Sequence, residues 1–247
     1  MGLFDKKYCD ICGNKIGLLG NRKLEDGNCC KDCASKLSPW FSERRHSTIE
    51  TIKEQLAYRE ANKADVETFK VTRTIGDGTK ILIDEDRGNF LVTRAQKNWR
   101  DENPDIIPFS SVTGCETRID ESRHEETTTD KDGKTVSYRP PRFNYSYNFN
   151  VKIYVNSPYF DEISFNINRS SVTEHVVGQH VMHGSEYDSF SDSLSEIKNI
   201  FSGIREDVRA QAAAAAAPKS PVKCPYCGAT TLPDEKGCCE YCGAPLS

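Results

Sequence analysis

Eight of the chain's eleven cysteines form two groups of four, one near each end of the sequence. Each group contains two pairs with Cys-x-x-Cys spacing, in which a tight turn lets both thiolates reach one metal ion. Four thiolates complete the tetrahedron that zinc prefers and leave no open coordination position. The pattern therefore predicts two structural Zn²⁺ ions, with the ligands Cys9, Cys12, Cys30, Cys33, Cys224, Cys227, Cys239 and Cys242.

Each group also contains a cysteine doublet, Cys29-Cys30 and Cys238-Cys239, so the choice of ligand stays open. The second cysteine of each doublet keeps the two-residue spacing, and we therefore favour Cys30 and Cys239. The neighbouring thiols could be inert, or could act as alternates after oxidation. A redox dithiol is disfavoured because the thioredoxin-like βαβ context is absent.

The two modules differ in the residues that come after their cysteines. In the C-terminal module, predicted for residues 222–247, a glycine follows each pair, which is typical of a symmetric zinc ribbon resembling rubredoxin. In the N-terminal module, predicted for residues 1–45, helix-compatible residues follow Cys33. Its second pair is expected to open a short helix, as in sites that resemble a treble clef.

Between the modules, the hydrophobic pattern predicts a helix and then a β domain. The segment Ser47-Thr-Ile-Glu50 has capping-box spacing and begins a connecting helix predicted for 46–64. From about Val66 the apolar period changes to two, which is typical of six or seven antiparallel strands, and the β domain is predicted for 65–210. An exposed loop or hairpin tip is predicted for 120–142. An amphipathic helix capped at Ser193 closes the domain, and a linker follows at 211–221.

This order of strands and a final helix resembles a pleckstrin-homology-like (PH-like) barrel of the bacterial or GRAM type. The motifs behind the resemblance are Thr79-Lys-Ile-Leu-Ile-Asp, Ile107-Pro-Phe-Ser-Ser-Val-Thr-Gly-Cys-Glu and Tyr159-Phe-Asp-Glu-Ile-Ser-Phe. The predicted fold class is α+β and multidomain. It consists of a PH-like antiparallel β-barrel with a C-terminal helix, flanked by two small zinc-binding modules.

The N-terminal module also resembles a bacterial zinc-binding family that has no established activity. The matching segments are Cys9-Asp-Ile-Cys-Gly13, Lys23-Leu-Glu-Asp-Gly27, Cys30-Lys-Asp-Cys33 and Leu37-Ser38-Pro39. Members of that family share the order of zinc module, β domain and ribbon. The resemblance implies bound zinc and this architecture, but no activity.

Four residues in a predicted loop form a candidate patch for a small anionic ligand, such as a phosphate head group. They are Arg94, Lys97, Trp99 and Arg100. The simpler interpretation, a solvated loop, is favoured over a binding site.

Three histidines and the lone central cysteine are interpreted as structural. His175, His180 and His183 fit no standard metal motif, so a polar loop is favoured over a second kind of metal site. Cys115 lies in a predicted strand without a partner histidine nearby in sequence, which favours a half-buried thiol over a nucleophile.

The distribution of charge argues against a general nucleic-acid binder. The net charge is −4, with +3 in residues 1–48, zero in 218–247 and −7 between them. Two filled four-thiolate zinc sites lower the total to roughly −8. An aromatic stripe at Tyr145, Tyr147 and Phe149 could stack bases, but strict alternation favours a sheet face against the core.

We expect a cytoplasmic protein, since no apolar run approaches the roughly 20 residues of a membrane span and the start does not resemble a secretory signal. A reducing compartment keeps the thiols available for metal. No phosphate-binding glycine loop, nucleophile elbow or paired catalytic carboxylates are found, so no enzymatic role is predicted. The leading hypothesis is an adaptor or scaffold that binds a protein or a membrane lipid. The alternative is a nucleic-acid-binding or regulatory protein that uses its zinc modules.

Overall fold

A computed structural model describes residues 7–178, 180–216, 221–234 and 237–246. In these ranges the α-helices are α1 (Lys31–Ala34), α2 (Ile49–Thr68) and α3 (Ser185–Ala216). The strands are β1 (Arg22–Lys23), β2 (Asn28–Cys29), β3 (Arg73–Ile75), β4 (Lys80–Asp84), β5 (Asn89–Thr93), β6 (Ile107–Pro108), β7 (Val112–Thr129), β8 (Thr135–Val155), β9 (Glu162–Asn166), β10 (Val172–Val177), β11 (Val222–Lys223) and β12 (Thr230–Thr231). The chain divides into two compact units, Met1–Arg205 and Glu206–Ser247.

The N-terminal module is a small hairpin followed by a one-turn helix. Strands β1 and β2 pair antiparallel, and α1 begins directly after Cys30, as predicted for the second cysteine pair. The apolar interior of the module surrounds its cysteines and includes Leu24, which is fully buried. Helix α2 contributes Ile52 to this interior, so the module and the helix share one core.

The connecting helix lies three to four residues further along the chain than the predicted 46–64. Its cap is Thr48, whose hydroxyl accepts a hydrogen bond from the Thr51 N–H, and the helix ends at Thr68 rather than at 64. The last turn is stabilised by Val66, which is buried in a cluster with Leu82 and Leu91 of the following sheet. Tertiary packing therefore extends the helix beyond the point where its apolar periodicity weakens.

The middle region contains two open antiparallel sheets. One has the order β3-β4-β5-β6, and the other has the order β10-β8-β7 with β9 also paired to β8. A single apolar cluster takes residues from both sheets and from α3, which contributes Leu194, Ile197 and Phe201. The mixed α and β class is as predicted, whereas neither sheet closes into a barrel.

The alternation predicted for β8 is confirmed. Every second side chain from Phe143 to Val155 is buried, and these residues are Phe143, Tyr145, Tyr147, Phe149, Val151, Ile153 and Val155. The aromatic stripe is therefore part of the core, and the base-stacking alternative is wrong.

The prediction of an exposed loop or hairpin tip over 120–142 is correct only at its centre. Strands β7 and β8 pair through almost the whole segment, and the turn occupies residues 130–134. In the turn the Asp130 carboxylate accepts hydrogen bonds from the N–H groups of Asp132 and Lys134. Most side chains of this hairpin arm are exposed on both faces. Its strands therefore lack the apolar alternation that reveals a half-buried strand.

Helix α3 begins at Ser185, eight residues before the predicted cap at Ser193. The early turns are held by aromatic contacts, because the rings of Tyr187 and Phe190 each lie 5.3 Å from the ring of Phe149. The alanine run continues the helix as far as Ala216. Of the helices described, none has the length and apolar composition needed to cross a bilayer.

Candidate metal centres

The N-terminal cysteine group has the geometry of a four-coordinate metal centre. All four sulfurs lie within 4.8 Å of one another, with Sγ–Sγ distances of 3.9 Å for Cys9–Cys33 and 3.8 Å for Cys12–Cys30. A tetrahedral zinc ion with four sulfurs at about 2.3 Å has sulfur–sulfur edges of about 3.8 Å. A disulfide would bring two sulfurs to about 2.05 Å. These distances fit one shared ion and no disulfide.

Local backbone structure holds these sulfurs in position. Gly13 follows the first pair with φ of 75°, and its N–H donates to the Cys9 carbonyl over 2.8 Å. Cys30 caps α1, where its sulfur accepts a hydrogen bond from the Cys33 N–H at 3.3 Å. The Cys30 N–H in turn donates to the Cys9 sulfur at 3.2 Å. N–H groups directed at sulfur stabilise the negative charge of a metal-bound thiolate.

Hydrogen bonds from backbone N–H groups favour a thiolate at Cys9. Burial raises the pKa of its thiol, but the backbone N–H groups of Cys12, Cys30 and Ile11 outweigh burial and lower the pKa to about 6. The thiolate is the form that binds metal. The Cys9 sulfur is therefore held in the form that binds metal, whereas burial and the neighbouring thiols raise the pKa of Cys33.

The structure brings Cys30, and not Cys29, into this group. The Cys29 side chain is completely buried, and its thiol donates to the Cys30 carbonyl over 3.4 Å. Burial raises the pKa of Cys29 to about 12. The thiol thus stays neutral and packs as a small apolar side chain in the module core.

The C-terminal group repeats the metal geometry in the second unit. Its four sulfurs also lie within 4.8 Å of one another, with 3.6 Å between Cys224 and Cys242 and 3.7 Å between Cys227 and Cys239. Cys238 lies outside the group and pairs as a β-bridge with Pro245. The structure therefore selects the second cysteine of the doublet at this end as well.

The two knuckles of the C-terminal group have matching hydrogen bonds. The Gly228 N–H donates to the Cys224 carbonyl at 2.9 Å, and the Gly243 N–H donates to the Cys239 carbonyl at 2.7 Å. The backbone N–H groups of Cys227 and Tyr226 lower the pKa of Cys224 to about 6. The matching glycine hydrogen bonds of the two knuckles agree with the symmetric ribbon predicted from the sequence.

Each C-terminal knuckle exposes a tyrosine at the same position. Tyr226 and Tyr241 each precede the second cysteine of their pair, and they are 74% and 73% exposed. The equivalent N-terminal positions hold Ile11 and Asp32. Sequence reasoning did not single out these tyrosines, although the repeated position was visible in the two Cys-x-Tyr-Cys motifs.

The four residues of the predicted anionic-ligand patch have different surroundings in the structure. Arg94 lines a cleft of about 620 Å³ together with Gly78, Thr79, Gln96, Ser164, Phe165, Asn166, Asn168 and Arg169. Trp99 instead packs edge-on against Phe69, with ring centres 5.7 Å apart. Arg100 stacks over Trp99 and donates to the Phe69 carbonyl at 2.9 Å. Trp99 and Arg100 thus both contact Phe69, and Lys97 is exposed outside the lining of this cleft.

The three histidines do not converge on a common point. His183 lies 3.0 Å from a Glu174 carboxylate oxygen and stacks on Tyr187 with ring centres 3.6 Å apart. His175 lies 3.7 Å from Glu126. In the described parts of the chain, the groups whose ligand atoms gather around one point are the two cysteine groups.

Cys115, the lone central cysteine, is partly buried on β7, and burial raises the pKa of its thiol to about 12. A thiol held neutral in this way is a poor nucleophile at neutral pH. The interpretation of Cys115 as a structural thiol agrees with this environment.

A buried polar network joins the N-terminal module to the β domain. Arg59 of α2 forms a 2.7 Å ion pair with Asp105, and their side chains are only 8% and 0% exposed. The other Asp105 oxygen accepts a hydrogen bond from the Ser38 hydroxyl at 2.7 Å. Asn62 completes the network by donating to the Pro104 carbonyl at 2.8 Å. These partners are far apart in sequence, so no local pattern predicted them.

Comparison with known proteins identifies one region of the chain. A family model described as Domain of unknown function (DUF4428) matches residues 7–55. This range contains the N-terminal cysteine group and the start of α2. Neither the curated proteins nor the solved structures provide a match to the chain. The N-terminal part of the predicted resemblance is thereby supported, without an activity.

Proposed function

We propose that the protein is a non-enzymatic adaptor that holds one structural zinc ion in each cysteine centre and binds a protein partner. Tetrahedral coordination by four thiolates is typical of zinc or of iron–sulfur chemistry, and the sulfur spacing of both centres matches a single zinc ion. Four protein ligands leave no position for a reacting water or substrate. We therefore assign both ions a role in folding rather than in catalysis.

The middle region would supply the central platform of the adaptor. We propose that it is a PH-like domain whose two antiparallel sheets share one core with the following helix. Support comes from the apolar cluster, which combines strands of both sheets with Leu194, Ile197 and Phe201 of α3. The order of strands followed by one amphipathic helix also favours this architecture.

The exposed tyrosines of the ribbon are the observation that carries the adaptor proposal. Tyr226 and Tyr241 occupy equivalent positions on two metal-held knuckles and are largely exposed. Tyrosine is enriched in protein interfaces because it offers a large apolar ring with a polar tip. A knuckle fixed by metal presents such a ring at low entropic cost.

The adaptor would function in a reducing compartment, and we propose the cytoplasm. Both centres need free thiols, which oxidising compartments convert to disulfides. The cysteine sulfurs lie at metal-centre spacing, at 3.6 Å or more from one another in the closest pairs.

Photo-crosslinking in native lysate tests the adaptor proposal. The full chain would carry p-benzoylphenylalanine in place of Tyr226 or, as a matched control, in place of Tyr8, which is 55% exposed in the N-terminal module. We expect a discrete protein adduct from position 226 and not from position 8. A Tyr241→Ser change should weaken that adduct while the zinc content stays at two ions. No adduct at position 226, or equal adducts at both positions, would contradict the proposal.

A nucleic-acid role is the second candidate, since exposed tyrosines can also stack on bases. Charge opposes it, because each filled centre carries about −2 and the chain is already acidic. Gel shifts at low salt with single-stranded RNA and DNA would decide between the two. Binding whose affinity falls continuously and steeply as salt rises would favour this alternative over the protein partner.

A further inference from the structure

Two leucines form the tip of a tight turn in the N-terminal module. The Gly20 N–H donates to the Gly17 carbonyl over 3.0 Å, which places Leu18 and Leu19 at the corner positions of a β-turn. Their side chains are 89% and 88% exposed, and neither belongs to an apolar cluster of the described residues. Turn corners usually hold glycine, proline or small polar residues. The folding of this turn does not explain a pair of leucines there.

The turn is anchored, so the leucines project from a fixed base. Ile16, directly before the turn, is buried in the module core. The guanidinium of Arg22 donates to the carbonyls of Leu19 and Asn21 at 3.2 and 3.3 Å. An apolar tip with a fixed base can enter an apolar medium without first being ordered.

Basic residues flank the turn on both sides in the sequence. They are Lys7, Lys15, Arg22 and Lys23, and a backbone bridge between Tyr8 and Lys15 brings the first two of these lysines to the same end of the module. The acidic residue within 7–24 is Asp10, whose carboxylate accepts a hydrogen bond from the Asn28 N–H at 2.6 Å. Within residues 7–24 the charged side chains are therefore mainly basic, whereas the whole chain is acidic and Glu25 and Asp26 follow directly.

We propose that this turn inserts into the surface of an anionic membrane. Leu18 and Leu19 would enter the boundary between head groups and acyl chains, while the flanking lysines and arginine contact anionic head groups. Long basic side chains can keep their charge at the head groups while the neighbouring apolar groups go deeper. An exposed aliphatic tip with basic residues on both sides of it in the sequence suits a lipid surface better than a protein interface, where aromatic residues dominate.

The proposal goes beyond the adaptor function and depends on it in one respect, namely that metal keeps the N-terminal module folded. It assigns the membrane contact to the N-terminal turn and the protein contact to the ribbon. An experiment can therefore contradict one of these two assignments without contradicting the other.

Sedimentation with vesicles tests the membrane contact on the zinc-loaded full chain. One set of vesicles contains phosphatidylcholine alone, and the other contains equimolar phosphatidylcholine and phosphatidylglycerol. The variants are Leu18→Ser/Leu19→Ser and, as a matched control, Met182→Ser, which removes an 88% exposed apolar side chain elsewhere. We expect binding to the anionic vesicles only, lowered on the order of tenfold or more by the double leucine change and by less than about twofold in the control.

A second arm tests charge and insertion separately. Lys15→Glu/Lys23→Glu should weaken binding, as should added salt, because both reduce the attraction to anionic head groups. A Leu18→Trp variant should show quenching of its fluorescence by brominated lipid, with a Tyr8→Trp variant quenched less.

Three results would overturn the membrane proposal. They are an absence of wild-type binding to anionic vesicles, equal binding by the leucine variant with its zinc retained, and no quenching at position 18. The adaptor proposal has its own test, since a Tyr226→Ser/Tyr241→Ser variant should bind vesicles as the wild type does. A protein adduct formed at position 18 in lysate, without vesicle binding, would assign the turn to a protein partner instead.

Discussion

The two cysteine centres share their ligand geometry and differ in their surroundings. The closest sulfur–sulfur distances are 3.8 and 3.9 Å at the N-terminal centre and 3.6 and 3.7 Å at the C-terminal centre. Around the first, Ile16, Leu24, Leu37 and Ile52 are buried. Within residues 221–234 and 237–246, the buried side chains are Cys224, Thr231 and Cys239.

From this difference we infer that the same four ligands can contribute different shares of the folding stability of two modules. The N-terminal module adds an apolar core and a polar network to its cysteine centre, so several interactions hold it in place. The ribbon has little apolar interior, and a fold this small cannot bury enough surface to be stable alone. Metal binding, which supplies on the order of 10–16 kcal/mol in small zinc modules, should therefore dominate the stability of the ribbon.

Removal of metal should have the largest effect and should affect the two ends differently. After chelation we expect residues 221–246 to lose all protection of their backbone amides, because little else orders them. Helix α2 should keep part of its protection through its contacts with the β domain at Val66 and Asn62. Hydrogen exchange of the full chain, read by mass spectrometry with and without chelator, measures both regions in one sample.

Re-addition of zinc serves as the control for chelation and should restore both regions. Equal loss of protection in the ribbon and in α2 would show that the surroundings of the two centres do not affect the stability that remains after metal is removed.

Breaking the buried ion pair should have the next largest effect, and only on the N-terminal side. Asp105→Ala removes the partner of Arg59 and of the Ser38 hydroxyl, and it leaves a buried guanidinium without a counter-charge. The loss should be about 3–5 kcal/mol in the free energy of unfolding of the first unit, measured with urea. Metal content of the ribbon should stay unchanged.

The matched control replaces both charges at once, as Arg59→Met/Asp105→Leu. An apolar pair of similar volume avoids the uncompensated charge, so this variant should recover much of the stability. If the single and double variants were equally unstable, loss of packing rather than an unpaired charge would be the cause.

Truncation of one leucine at each end tests the apolar contribution directly. Leu24→Ala in the N-terminal module should cost about 2–5 kcal/mol, because the side chain is completely buried. Leu232→Ala in the ribbon should change stability by less than about 0.5 kcal/mol, because that side chain is 51% exposed. Thermal unfolding of zinc-loaded protein gives both values, and a costly Leu232→Ala would reveal an apolar interior in the ribbon.

Local features of both centres could be predicted from the sequence. The two-residue spacing identified the knuckles, and the helix after Cys30 was expected from the residues around Cys33. The alternation from Phe143 to Val155 predicted which side chains of β8 are buried, because one side of that strand lies against the core. In each case the physical cause acts over a few neighbouring residues.

Other features could not be predicted because their causes are not local. The outer part of the β7–β8 hairpin is exposed on both faces, so its strands show no apolar period. The Arg59–Asp105 pair joins residues 46 positions apart, and nothing near either residue marks the other. The exposure of Leu18 and Leu19 was equally hidden, because a leucine pair in a short module suggests core rather than a turn tip.

The smallest predicted effect concerns the glycine that follows the first cysteine pair of each centre. Gly13 and Gly228 have φ of 75° and 74°, and a Cβ added at either would meet no atom within 4 Å. Alanine at either position should therefore lower stability only by the energy of placing a side chain in the left-handed backbone region, about 1–2 kcal/mol. The loss should be similar at the two ends. Asparagine, which tolerates this conformation, should cost less. Zinc affinity measured by competition with a chelator would report both changes, and a much larger loss at Gly228 would mean that the ribbon knuckle, lacking an apolar core, depends more strongly on its own turn.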